Sequence, residues 1–161
     1  MTTIHPGRKG ARTFLLGAVA AIMLSACQPR ASEGQSQTVD GFKLDYGVVP
    51  SAVVGQHPSD HPESAMHQGP PKDSYHITLA VSDAKTQGRV EDAEVTVKVA
   101  GHGHPGNVAL PMELMTIAGS PTYGRYVSLP SPGRYQLTFE VAPAGRRHDP
   151  VKAQFAYDRP D

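Results

Sequence analysis

Tyr75-His-Ile-Thr-Leu-Ala-Val-Ser82 alternates apolar and polar residues along its length. Successive side chains of an extended chain point to opposite faces. Tyr75, Ile77, Leu79 and Val81 therefore share one face, and His76, Thr78, Ala80 and Ser82 share the other. The pattern recurs at Val95, Val97 and Val99 against Glu94, Thr96 and Lys98. It recurs again at Tyr135, Leu137, Phe139 and Val141, and at Val151, Ala153, Phe155 and Tyr157. Turn-forming stretches, Asp83-Ala-Lys-Thr-Gln-Gly88 and Pro130-Ser-Pro-Gly133, precede two of these runs. Segments 41–49, 108–118 and 123–129 bring the total to about seven strands, and no stretch keeps helical spacing over three turns. Each strand has one wet face, so two sheets stacked on their apolar faces satisfy the pattern. The expected fold is all-β, an immunoglobulin-like sandwich of about seven antiparallel strands without the Cys pair and Trp of antibody domains. A small barrel satisfies the same alternation.

Outward from this domain, the chain begins with Arg8, Lys9 and Arg12, followed by the apolar run Phe14–Leu24 and then Ser25-Ala26-Cys27. A basic start, a short apolar core and small residues at the cut make a secretory signal over residues 1–26. The run is too short for a spanning helix, which needs roughly 20 residues. Leu24-Ser25-Ala26-Cys27 resembles the lipobox of bacterial lipoproteins. The resemblance implies cleavage before Cys27 and acylation (palmitate-type chains) of its thiol and new amino group. Several acyl chains on one residue hold a protein on a membrane stably. Cys27 is the only cysteine, so no intramolecular disulfide can form. Residues 28–38 are polar and without periodicity, so residues 27–38 are expected as lipidated Cys and tether, with the sandwich domain over 39–161. Gln28, rather than Asp, follows Cys27. In a Gram-negative host this resembles outer-membrane sorting, with the domain facing the periplasm.

Charge and motif content narrow the function. No acidic residue precedes Cys27, while three of the 15 basic residues do, so the mature chain carries a net −3 with His neutral. It has no basic stripe, which excludes nucleic acid as a partner. There is no Gly-x-Ser-x-Gly, no phosphate-binding Gly loop and no His-Glu-x-x-His, and the chain is read as a non-enzyme.

The candidate ligands are histidine and methionine. His57, His61, Met66, His67 and His76 fall within residues 56–76, beside Asp60 and Glu63. Imidazole suits copper, zinc, iron and nickel, and thioether sulfur favours Cu(I). The His-Pro pairs at 57–58 and 61–62 restrict the backbone and lower the entropy cost of ordering a loop. Pro62 at the first position of a helical turn would set Glu63 and His67 four apart on one face. In Pro111-Met-Glu-Leu-Met115, Met112 and Leu114 share a face, which puts Met115 on the polar face with Glu113 if Leu114 is core. His102 and His104 sit among turn residues and read as a hairpin loop, and His148 lies in another loop.

From His76 to Tyr157, about half the chain, the sequence resembles the periplasmic iron-transport accessory proteins. These are β-sandwich proteins that bind copper or iron beside an iron permease. The resemblance rests on Tyr75-His76-Ile77, and on Met115 seven residues before Thr122-Tyr123-Gly124. It continues in Gly133-Arg-Tyr135, a loop holding His148, and the closing Gln154-Phe155-Ala-Tyr157. It implies a metal held by a strand His, a Met and two loop His, with a nearby Glu. His76 and Met115 match the first two and His148 the later loop ligand. Thr122 stands where that family's second His would be, and Thr78 where its strand Glu would be.

Together these readings give a lipid-anchored periplasmic metal-binding protein. It binds or delivers copper, as Cu(I) or Cu(II), or iron, through His57, His61, Met66, His67, His76, Met115 and His148. A membrane metal transporter is the expected partner, and a homodimer is admitted. The alternative is a non-catalytic envelope interaction module with the same sandwich and no metal function.

Overall fold

A computed structural model describes residue 1, residues 34–54 and residues 74–161. Among these residues, ten strands form two antiparallel sheets packed face to face. The first sheet is ordered β1 (Ser36–Val39), β2 (Phe42–Pro50), β3 (Ser74–Asp83), β8 (Ser120–Ser128), β7 (Glu113–Ile117). The second is ordered β10 (Val151–Arg159), β9 (Gly133–Pro143), β4 (Ala93–Gly101), β5 (His104–Pro105), with β6 (Leu110–Pro111) also on β4. The only helical turns among the described residues are α1 (Ser51–Val54) and a 3-10 turn at Ala144–Arg146. None is long and apolar enough to cross a membrane.

The alternation expected from the sequence builds the core. Ile77, Leu79 and Val81 of β3 face Val97, Leu137, Phe139, Val141 and Phe155 of the other sheet, and all are 1% exposed or less. Tyr46 joins the two layers. Its ring lies 4.6 Å from Phe155 and 6.3 Å from Phe139, and its hydroxyl donates to the Ala156 carbonyl at 2.8 Å. Each fully buried Val, Leu, Ile or Phe contributes roughly 1.5–3 kcal/mol, so the core can hold the fold without a disulfide. The seven strands of five or more residues match the expected number, and three short strands add to them.

Two departures from the sequence reading have clear causes. Residues 36–38, polar and placed in the tether by composition, pair with β2 as an edge strand. The turn Asp40-Gly41, with φ of 49° and 83°, has the two positive dihedrals of a type I′ hairpin. That turn, not apolar content, sets this pairing. Segment 108–118, expected as one strand, divides at Met112. β6 pairs with β4, Met112 N–H donates to the Val95 carbonyl at 2.8 Å, and the chain then enters the other sheet as β7. Pro111 has no N–H with which to continue a ladder, and the Met112 side chain fills the core at the crossing, 7% exposed.

Candidate metal centre

The residues between the core positions of β2, β3, β8 and β7 lie on the outer face of the first sheet. Register arranges them in rows. Gly47, Thr78, Gly124 and Glu113 are successive partners across the four strands. In the row on one side, Val49, His76 and Tyr126 are partners, and on the other side Met115 is opposite Thr122. His76 and Met115 thus approach Gly124 from two diagonals, a spacing that long side chains can cross.

They meet there. A methyl group placed on Gly124 would lie 2.6 Å from His76 Nε2 and 2.9 Å from Met115 Sδ, and closer still to Met115 Cε. An imidazole nitrogen and a thioether sulfur therefore converge on the space that the missing side chain leaves. Both residues are buried, His76 at 2% exposure and Met115 at 6%. The His76 ring stacks on Tyr126 with centroids 4.5 Å apart and planes 18° from parallel, which fixes its aim. A glycine within a strand commonly marks such a close approach.

Neighbouring polar groups are committed elsewhere. Thr78 Oγ1 donates to the Gly47 carbonyl at 3.4 Å, toward β2 and away from Gly124. Thr122 Oγ1 donates to Ser120 of its own strand at 3.3 Å. Partial burial pushes the Asp45 carboxyl up, but hydrogen bonds from Lys43 and Ser36 and the Lys43 charge outweigh it and hold it below its usual value.

The sequence-derived ligands are distributed as follows. His76 and Met115 come together over Gly124. His57, His61, Met66 and His67 lie outside the described residues, as does Cys27. His148 is exposed, in the loop that follows the 3-10 turn. That loop is tied to the other end of the sandwich, by Arg146 donating to Asp40 O at 3.5 Å and by Arg147 pairing with Glu94. Asp40 is two residues before Phe42, which is opposite Asp83, and Asp83 is seven residues along β3 from His76. At about 3.3 Å per residue the two ends are roughly 23 Å apart. His104 Nε2 sits 2.5 Å from the Ser128 carbonyl and its ring packs edge-on against Tyr135, a structural arrangement. Among the described residues no group of three or more His, Cys, Asp or Glu is placed to hold a metal ion, so the His–Met pair is the candidate. Sequence reading did not single out Gly124, over which the two side chains meet, or its strand partner Glu113. The available signal was a glycine flanked by Tyr123 and Arg125 in the middle of a strand.

No family profile matches the chain, and no curated protein matches it. Solved structures do. A copper-bound variant of FetP from uropathogenic Escherichia coli superposes with a TM-score of 0.59 at 12% identity, over 80% of this chain and 96% of that one. Copper-reconstituted P19 from Campylobacter jejuni gives 0.60 at 10% identity, over 80% and 95% of the two chains. A DUF4426 family protein from Pseudomonas aeruginosa gives 0.59 at 19% identity, over 80% and 97%. The chain has the β-sandwich fold of these proteins, two of which were solved with copper.

Proposed function

We propose that this chain is a lipid-anchored periplasmic protein that binds or delivers copper, or iron, with His76 and Met115 as ligands. The observation that carries the proposal is the convergence of His76 Nε2 and Met115 Sδ on the cleft over Gly124. Imidazole with thioether is a donor pair suited to copper, and the sulfur favours Cu(I) over iron. The fold shared with copper-bound FetP and P19 supports the same reading. Two protein donors leave coordination positions open, through which an ion can pass to a membrane metal transporter. The lipobox at Leu24–Cys27 supports attachment to the envelope membrane through lipid on Cys27, the outer one in a Gram-negative host. Cys27→Ser should then release the domain as a soluble, unprocessed or mis-sorted product.

The test is equilibrium copper binding to residues 28–161, which omit the Cys27 thiol that would itself take Cu(I). Competition with chelators for Cu(I) and Cu(II) is expected to give tight one-to-one binding. His76→Ala and Met115→Ala are each expected to weaken it by about tenfold or more. Weak binding at several sites, unchanged in both variants, would reject the ligand pair and favour an interaction module.

A further inference from the structure

Glu113 occupies the position opposite Gly124 on β7, in the row where the two donors converge. Partners in a strand pair share a face, and their Cβ positions lie about 4.5–5.5 Å apart. The direction in which a Gly124 side chain would point is therefore also the direction of the Glu113 side chain. Glu113 is exposed, and among the described residues no hydrogen bond or ion pair engages its carboxylate. The cation nearest in sequence on β8, Arg125, is partner to the core residue Ile77 and so lies on the other face, where it donates to the Pro111 carbonyl at 3.4 Å. Across Gly124 from Glu113, the Thr78 hydroxyl is turned toward Gly47. Asp45 is held by Lys43 at 2.9 Å. Glu113 is thus the one uncommitted carboxylate, among the described residues, next to the His–Met pair.

We propose that Glu113 is the third protein ligand of this centre and the one that selects for the harder ion. The inference rests on the metal-binding reading given above. Carboxylate oxygen is a hard anionic donor, and thioether sulfur is a soft neutral one. A centre with His76 and Met115 alone is biased to Cu(I). Adding Glu113 supplies the negative charge and oxygen that favour Cu(II) or iron. Met115 and Glu113 are two residues apart on one edge strand and face the same ion from the same side. The strand therefore presents one donor for each oxidation state.

The experiment measures Cu(I) and Cu(II) affinities of the mature protein by chelator competition, with the electron paramagnetic resonance spectrum of the Cu(II) form. Glu113→Gln keeps size and removes charge at an exposed position, so folding is retained. It is expected to weaken Cu(II) by about tenfold or more while changing Cu(I) by much less, and to alter the Cu(II) spectrum. Met115→Leu is expected to do the reverse, weakening Cu(I) more than Cu(II). Glu113→Asp, with a shorter reach, should restore part of the Cu(II) affinity. If the unmodified protein binds copper tightly but Glu113→Gln leaves both affinities and the spectrum unchanged, Glu113 is not a ligand. If the unmodified protein binds no copper tightly, the underlying metal-binding reading fails instead.

Discussion

Gly124→Ala tests the geometry of the centre most directly. The added methyl would sit 2.6 Å from His76 Nε2 and 2.9 Å from Met115 Sδ, both shorter than real Cβ contacts, so the donors must move. Gly124 does not need left-handed backbone, so the effect is steric. A strand Gly→Ala change is by itself favourable by roughly 0.5–1 kcal/mol. Overpacking costs typically 1–3 kcal/mol, and flexible Met115 can relieve part of it more easily than the His76 ring stacked on Tyr126. The net expectation is a loss of about 1 kcal/mol, with the donors forced apart. Copper at 100 times its dissociation constant stabilises a native protein by about 2.7 kcal/mol. If the variant binds about 100-fold more weakly, the same copper gives only about 0.4 kcal/mol, and most of the copper-induced thermal shift disappears. Gly47→Ala is the matched control. It lies in the same row, and its methyl would meet only Thr78 Oγ1, at 2.9 Å, a milder clash that touches neither donor. It should change stability less than Gly124→Ala does and keep the copper shift. A Gly124→Ala protein that retains the full copper-induced shift would refute the assignment of the cleft.

Two further predictions concern the scaffold. Glu140 accepts from Lys98 at 2.8 Å and pairs with Lys152 at 3.3 Å, and the Lys98 hydrogen bond holds its carboxyl below the usual value despite some burial. Its contribution, about 0.5–1 kcal/mol at this partly exposed site, is complete above its unfolded pKa of about 4.3 and is lost as pH falls through the lower folded value. Urea unfolding of Glu140→Gln should therefore show a deficit at pH 7 that shrinks toward pH 3, and a deficit independent of pH would contradict the cause. Ala118, with φ of 49° at an exposed turn position, holds a conformation that costs a side chain roughly 1–2 kcal/mol relative to glycine. Ala118→Gly should raise stability by about 1 kcal/mol, seen as a higher urea midpoint, and a decrease would show that the turn is not strained.

The strands were legible where one face is core and the other wet. Along β3, β4, β9 and β10, a period of two is imposed by burial, and burial is written in residue type. The edge strand β1 was not read, because three of its four residues are polar and its signal is the Asp40-Gly41 turn rather than an apolar face. The break at Met112 escaped for a related reason: a side chain that crosses between sheets is as apolar as one inside a strand. His76 and Met115 could be singled out by residue type, and their place on the wet face by parity. Their meeting was implied by the family resemblance, but pattern alone could not supply it, since it depends on which strands are neighbours. Only the pairing of β3 with β8 and of β8 with β7 puts Gly124 between them. Glu113 was hidden in the same way, as an ordinary exposed carboxylate until its partner was known.

That dependence on pairing locates the control of the site. Tyr75 and Ile77 are core while His76 between them lies on the outer face, so the register that fills the core also aims the imidazole. On the other side of the cleft, β7 is short and at the sheet edge, and the turn at Ala118-Gly119 governs its register. Because Ile117 is opposite Ser120, Met115 must be opposite Thr122 and Glu113 opposite Gly124. A slip of one residue would send Met115 and Glu113 to the inner face and bring Leu114 and Thr116 out. The dihedrals of Ala118 and Gly119, 49° and 78°, are those of the tight two-residue turn that forbids the slip. Strain at Ala118 and ligand placement at Met115 are therefore two consequences of one turn. The core tolerates either register at β7 far better than the cleft does, since of β7 itself only Met115 is deeply buried and Leu114 is 47% exposed. The turn thus matters to the proposed His–Met cleft more than to the core.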